Sequence, residues 1–303
     1  MSPRLKVLLG FMCICLLWGS SWAAVKIAIE SIPPLLSLGI RFTIASSILG
    51  CIVIAKHLTV PRDKSFWALV LSMCLASFTV PFMLITWAQL HVGSGLASVL
   101  FATYPLWVAI ISHFLLPNER ITPARIIGIV LGFLGIIFIF NHGFSNISSS
   151  MVLGMAGIIA GAIIQAFGLV YLRLRGEQSH PITLNFCSMA ISTLPLFAAS
   201  VVFENYSTIR ITAAAFGSLV YLSVFCTVVT FVIYFWLVKH VEAVLLSLSA
   251  FITPVIAVVI GVLFMGEIIT TDIYAGSILV LIGVAFASLG DFFGLHPSPT
   301  KQR

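Results

Sequence analysis

The feature that most constrains this chain is a succession of apolar runs from Leu5 to Phe293, each close to the ~20 residues that a membrane-crossing helix needs. Only 8% of the 303 residues are charged and 60% are hydrophobic, whereas roughly a quarter of a soluble domain is charged. A globule of this size has too little interior to hide that much apolar surface, so lipid hydrocarbon is the solvent. In lipid each backbone N–H and C=O is satisfied within its own segment, which makes the runs helices. Bounded by Pro, Gly and charge, they predict ten spans: 5–29, 35–55, 66–86, 95–116, 124–140, 151–172, 182–203, 213–237, 243–264 and 273–293. The polar stretch Asn141 to Ser150 divides them into residues 1–148 and 149–303, with five spans each.

The net charge of +6 would raise nucleic acid as a partner in a soluble protein. Here the basic residues fall one to three at a time between apolar runs, so they read as topology signals, and nucleic-acid binding drops out. With the N-terminus inside, Arg4, Lys6, Lys56, Arg62, Lys64, Arg120, Arg125, Arg173, Arg175, Lys239, Lys301 and Arg303 all fall in cytoplasmic segments. Only Arg210 falls outside, and Lys26 and Arg41 lie within spans. Both termini are therefore expected in the cytoplasm, with the protein in the inner membrane. The first run opens on basic residues as a signal peptide does. It continues apolar past Trp22 without a small-residue cleavage site, so it is expected to stay as the first span. The six cysteines lie in apolar runs without metal-ligand spacing, and no metal or cofactor is expected.

The two halves resemble each other. Trp87, His91 and Pro105 match Trp236, His240 and Pro254 at a spacing of 149 residues. After a one-residue slip, Glu119, Thr122, Gly128 and Gly135 match Glu267, Thr270, Gly276 and Gly283. Copies separated by five spans cross the membrane in opposite directions. Such inverted repeats are common in secondary transporters, where cargo sits between the repeats and alternating access exchanges their conformations.

The residues Leu17-Trp18-Gly19-Ser20-Ser21-Trp22 with Lys26, Arg41, the Ala97 to Pro105 segment, Asn118-Glu119-Arg120-Ile121-Thr122 and Gly266-Glu267 give a chain that resembles the EamA-type family of the drug/metabolite transporter superfamily over essentially its whole length. The resemblance implies a ten-helix carrier with a central cavity lined by helices 1, 3, 4, 6, 8 and 9, moving metabolites out of or into the cell. Its motifs are diffuse and identify fold and transport class rather than cargo.

Charges inside hydrocarbon cost several kcal/mol, about 2.5–3.5 at the span centre, so Lys26 and Arg41 are candidate cavity residues. Trp18, Trp22 and Lys26 recur at i, i+4 and i+8 with Ser21 beside them, a stripe suited to an anionic or zwitterionic metabolite. The alternative is that the cations snorkel to the outer interface, Arg41 being about 10 Å along its helix, where they suit a gate or a structural ion pair with Glu30. Thr103-Tyr104-Pro105 and Ile252-Thr253-Pro254 place a helix-breaking proline mid-span in both copies, where kinks expose carbonyls. Pro105 and Pro254 are thus gating candidates, and Thr103, Tyr104 and Thr253 cavity candidates. Gln165, Thr227, Thr230 and Tyr234 add polar groups within apolar spans, either to the cavity or to interhelical hydrogen bonds. Glu119 and Glu267 are read as caps for the helices that follow them.

The expected function is a secondary transporter of a small metabolite, an amino acid or related amphiphilic or anionic compound, with export favoured over uptake. The partners are this cargo and the bilayer; monomer and homodimer both fit. The alternatives are a channel, a scaffold or sensor, and an intramembrane enzyme. No His-Glu-x-x-His, paired acidic metal motif or facing Ser/His pair supports catalysis, and no nucleotide-binding motif supports primary transport.

Overall fold

The computed structural model describes residues 3–116, 122–143, 148–175, 179–238, 240 and 249–289. Glu119 lies outside the described residues, as do residues 243–248 of the ninth predicted span. Among the described residues the chain is all-helical apart from its connections, with no strand. The rods are α1 (Pro3–Ile29), α2 (Pro34–Ala55), α3 (Lys64–Ala88), α4 (Ser94–Leu115), α5 (Pro123–Gly143), α6 (Ser149–Arg175), α7 (Pro181–Phe203), α8 (213–238), α9 (Ser249–Met265) and α10 (Thr271–Leu289). Seven of them are long and apolar enough to cross a membrane, and α5, α9 and α10 contribute shorter apolar stretches.

Most rods begin where local chemistry starts a helix. Pro34, Pro123 and Pro181 open α2, α5 and α7 at the one end where a missing N–H costs nothing. Asp63 Oδ2 accepts from Phe66 N at 2.8 Å to cap α3, and Thr212 Oγ1 accepts from Ala215 N at 3.1 Å to cap α8. The starts of α2 and α4 fall to Pro33 and Gly93, which supply no side-chain cap. Their orphan amides are met from the other half of the chain.

The most extensive helix pairs correspond between the two halves. α1 packs on α8 and α9, and correspondingly α6 packs on α3 and α4; α2 packs on α7, α4 on α9 and α5 on α10. Equivalent helices run antiparallel. A Cβ on Gly39 or Gly50 of α2 would meet Phe197 or Phe186 of α7, so rising numbers pair with falling ones. In the same way Gly128 and Gly135 of α5 face Gly283 and Gly276 of α10, backbone against backbone. These four are the repeat-matched glycines, and they let two helices approach where any side chain would hold them apart.

Both α3 and α8 contain a π-helical stretch, at Cys74–Thr79 and Tyr221–Val229. Shifted by the 149-residue repeat, the first falls inside the second. In α3 the stretch is followed by Pro81, which has no N–H to return to the preceding turn. In α8 the threonines adopt the wider spacing: Thr227 Oγ1 donates to Leu222 O at 2.8 Å and Thr230 Oγ1 to Phe225 O at 2.7 Å, each five residues back. Such stretches are frequent at functional sites.

Candidate functional site

Three neighbouring features build the site, beginning where the C-terminal ends of α1, α3 and α9 meet the start of α4. Gly266, at φ 65°, ends α9 in the left-handed region that glycine enters without steric cost. The chain then turns so that Glu267 N donates to Gly261 O at 3.0 Å. The Glu267 carboxylate accepts from Ser94 N at 2.5 Å and Gly95 N at 2.9 Å, capping α4. Gly93, Gly95 and Gly261 surround it, and a Cβ on any of them would crowd the carboxylate. From the other side Lys26 Nζ donates to Gln89 O at 2.6 Å and Val92 O at 3.3 Å. The 89–95 turn is thus held by a cation on its carbonyls and an anion on its amides, both favoured at helix ends of these polarities. A parallel contact joins Glu204, at the end of α7, to the start of α2: its carboxylate accepts from Leu35 N at 2.6 Å and Leu36 N at 2.9 Å. Ser200 Oγ supplies a further bond to Glu204 at 2.6 Å.

Aromatic side chains form the second feature. Trp18 packs on Tyr234 with centroids 5.7 Å apart, Trp22 on Phe101 at 5.5 Å, and Phe101 stacks on Tyr104 at 5.7 Å. Tyr104 is partly exposed within the bundle. Gln165 Oε1 on α6 and Thr253 Oγ1 on α9 are buried and have no partner among the described residues. In an apolar bundle each such atom costs about 1–3 kcal/mol unless something bonds it.

Arg41 is the third. It is 9% exposed, and its Nε and Nη2 donate to Thr227 Oγ1 at 3.2 and 3.1 Å. The guanidinium carbon lies 5.5 Å from the Phe82 ring centroid. Next to it, Ser20 and Tyr221 share a 2.7 Å hydrogen bond and Cys226 Sγ donates to Leu17 O at 3.2 Å, tying α1 to α8.

Several sequence expectations change. Glu267 caps α4 rather than α10, because the Gly266 turn folds it back; the start of α10 is met by Thr270 Oγ1, 3.4 Å from Ile273 N. Lys26 takes backbone carbonyls rather than Glu30, since the uncapped end of α3 offers two of them nearby. Arg41 does not snorkel outward. The prolines are not equivalent: α4 is interrupted at Ala102–Thr103 just before Pro105, whereas α9 continues through Pro254. Thr103 is fully buried and its hydroxyl is occupied, donating to Leu100 O at 2.7 Å and accepting from Trp107 Nε1 at 3.3 Å, so it is no wall residue. Ser21 bonds back to Trp18 O at 2.7 Å, and Thr230 is buried against its own helix. Thr227 lies in the π stretch and turns to Arg41, an interhelical hydrogen bond rather than a cavity wall. Sequence reasoning missed Glu204, Phe82 and Phe101. The available signal for Glu204 was an acid closing one span opposite an uncapped Pro-Pro start at another.

The model of a family described as EamA-like transporter matches residues 5–141 and again 152–289. An uncharacterized transporter of Bacillus subtilis, YoaV, is 31% identical, over 92% of this chain and 95% of its own length. The protein PagO of Salmonella typhimurium is 29% identical, over 93% and 92%. The uncharacterized inner membrane transporter YedA of Escherichia coli is 28% identical, over 91% and 89%. A solved crystal structure superposes with a TM-score of 0.66 at 20% identity, covering 95% of this chain and 98% of that one, a likeness of fold.

Proposed function

We propose, from the premise that the chain belongs to the EamA-like transporter family, that it is a secondary, non-ATP transporter carrying a small amphiphilic metabolite out of the cell by alternating access. The cargo class is an amino acid or a related anionic compound. The chain crosses the inner membrane ten times with both termini in the cytoplasm, as repeats 1–148 and 149–303, and it performs no catalysis.

The observation that carries this reading is the antiparallel pairing of equivalent helices, α2 with α7, α4 with α9 and α5 with α10. Two repeats that pack in the same way in opposite directions have two arrangements related by a pseudo-two-fold rotation, one open to each side. The Glu204, Glu267 and Lys26 contacts all join helix ends that the ten-span topology places outside. On this reading they close that side and belong to a state shut to the exterior. A channel needs a continuous polar path, which this closure interrupts.

On this reading the cargo site is formed by Trp18, Trp22, Tyr104, Gln165, Tyr234 and Thr253, which supply aromatic faces and, from Gln165 and Thr253, polar atoms with no partner among the described residues. Replacing Tyr104 by alanine is expected to lower kcat/KM for the transported solute at least about tenfold, the scale of one lost aromatic contact and hydrogen bond. Proteoliposome flux at matched protein density measures it. Unchanged flux in both Tyr104→Ala and Trp22→Ala would place the cargo elsewhere.

A further inference from the structure

We infer that Arg41 is the group that recognises a carboxylate on the cargo. The inference rests on the transporter reading and adds the residue that recognises the cargo's charge. It starts from an imbalance. A guanidinium carries five N–H donors in a rigid fork, and here the two bonds it makes end on one neutral oxygen, Thr227 Oγ1. Among the described residues no carboxylate pairs with it. The described acidic residues, Glu30, Asp63, Glu204, Glu267 and Asp272, all lie at helix ends or between helices. Taking an ion out of water without a counter-charge costs several kcal/mol even after relaxation. A purely structural donor to Thr227 would be met more cheaply by a neutral side chain.

The surroundings are built for the charge rather than merely enclosing it. The π stretch of α8 lets the Thr227 hydroxyl give its proton to Leu222 O, five residues back, which leaves its lone pairs for the guanidinium. This fixes the Nε and Nη2 edge and leaves Nη1 without a hydrogen bond among the described residues. The Phe82 ring flanks the guanidinium and holds it without consuming an N–H. A carboxylate is the ligand whose geometry suits the remaining donors. The apolar and aromatic walls of the neighbouring helices suit a ligand whose other end is not charged. The assigned chemistry is a monocarboxylate with an apolar or zwitterionic body.

The test uses the full-length protein in nanodiscs. Thermal stabilisation is recorded with a panel of amino acids and aliphatic and aromatic monocarboxylates, each beside its uncharged amide, and with sodium chloride alone. Wild-type protein is expected to be stabilised by at least one acid and at least tenfold less sensitively by its amide. In Arg41→Gln that preference disappears, in Arg41→Lys it survives in part, and in Thr227→Val it weakens while the cation remains. Equal response to acid and amide in the wild type overturns the inference without needing any variant to fold, as does stabilisation by chloride alone. An unchanged acid preference in folded Arg41→Gln overturns it too. The outcomes separate from the parent reading: saturable flux of a neutral or cationic solute keeps the transporter and removes the carboxylate, whereas absence of flux for every solute removes the transporter.

Discussion

Glu267→Ala is expected to release the start of α4. The substitution removes two charge-assisted hydrogen bonds, to Ser94 N and Gly95 N, each worth about 1.5–3 kcal/mol. It also removes the carboxylate that faces Lys26 across the 89–95 turn. A loss of about 3 kcal/mol corresponds to a shift of roughly 150-fold in a conformational equilibrium. Hydrogen exchange at Ser94 and Gly95 should therefore accelerate by about two orders of magnitude, with Glu267→Gln in between because an amide oxygen still accepts. Glu204→Ala should do the same at Leu35 and Leu36 and leave Ser94 protected, since the two carboxylates hold different helices. Unchanged protection at Ser94 in Glu267→Ala would mean that water replaces the carboxylate at no cost and that this contact closes nothing.

Gly283→Leu is expected to prevent α5 and α10 from packing. A Cβ there already meets Gly128 O and the Gly132 amide, which are backbone atoms and cannot rotate away. Overpacking a well-filled interior costs about 1–3 kcal/mol when side chains yield, and more when only backbone can move. The variant should lose most of its folded yield in detergent, read as a monodisperse elution peak and a thermal transition. Gly217→Leu is the control, because a Cβ at Gly217 meets nothing within 4 Å. Equal loss in both variants would point to general intolerance of helix glycines rather than to the seam.

Rod positions were legible because in lipid the apolar run and the helix are the same object. The prediction of 35–55 meets Pro34–Ala55, and 182–203 meets Pro181–Phe203. The repeat was legible because Trp, His, Pro and Glu are rare enough in an apolar chain for matches to carry information. The caps from Glu204 and Glu267 were not, since they join residues 168 to 173 positions apart and no local pattern records them. The π stretches left no trace either, because a change of helical spacing inside a uniformly apolar run alters no periodicity. That is why Thr227 was grouped with Thr230 and Tyr234 when it belongs with Arg41. Thr103 shows the reverse limit: a polar residue beside a proline is as well placed to bond its own broken helix as to face a ligand.

The most direct measurement of the central claim is counterflow. Purified protein in liposomes is preloaded with an unlabelled amino acid or monocarboxylate, and entry of the labelled solute is followed without nucleotide. Alternating access predicts saturable entry, accelerated by the same solute on the far side. Entry that stays linear with concentration and ignores the far side, or no entry for any solute, would contradict it.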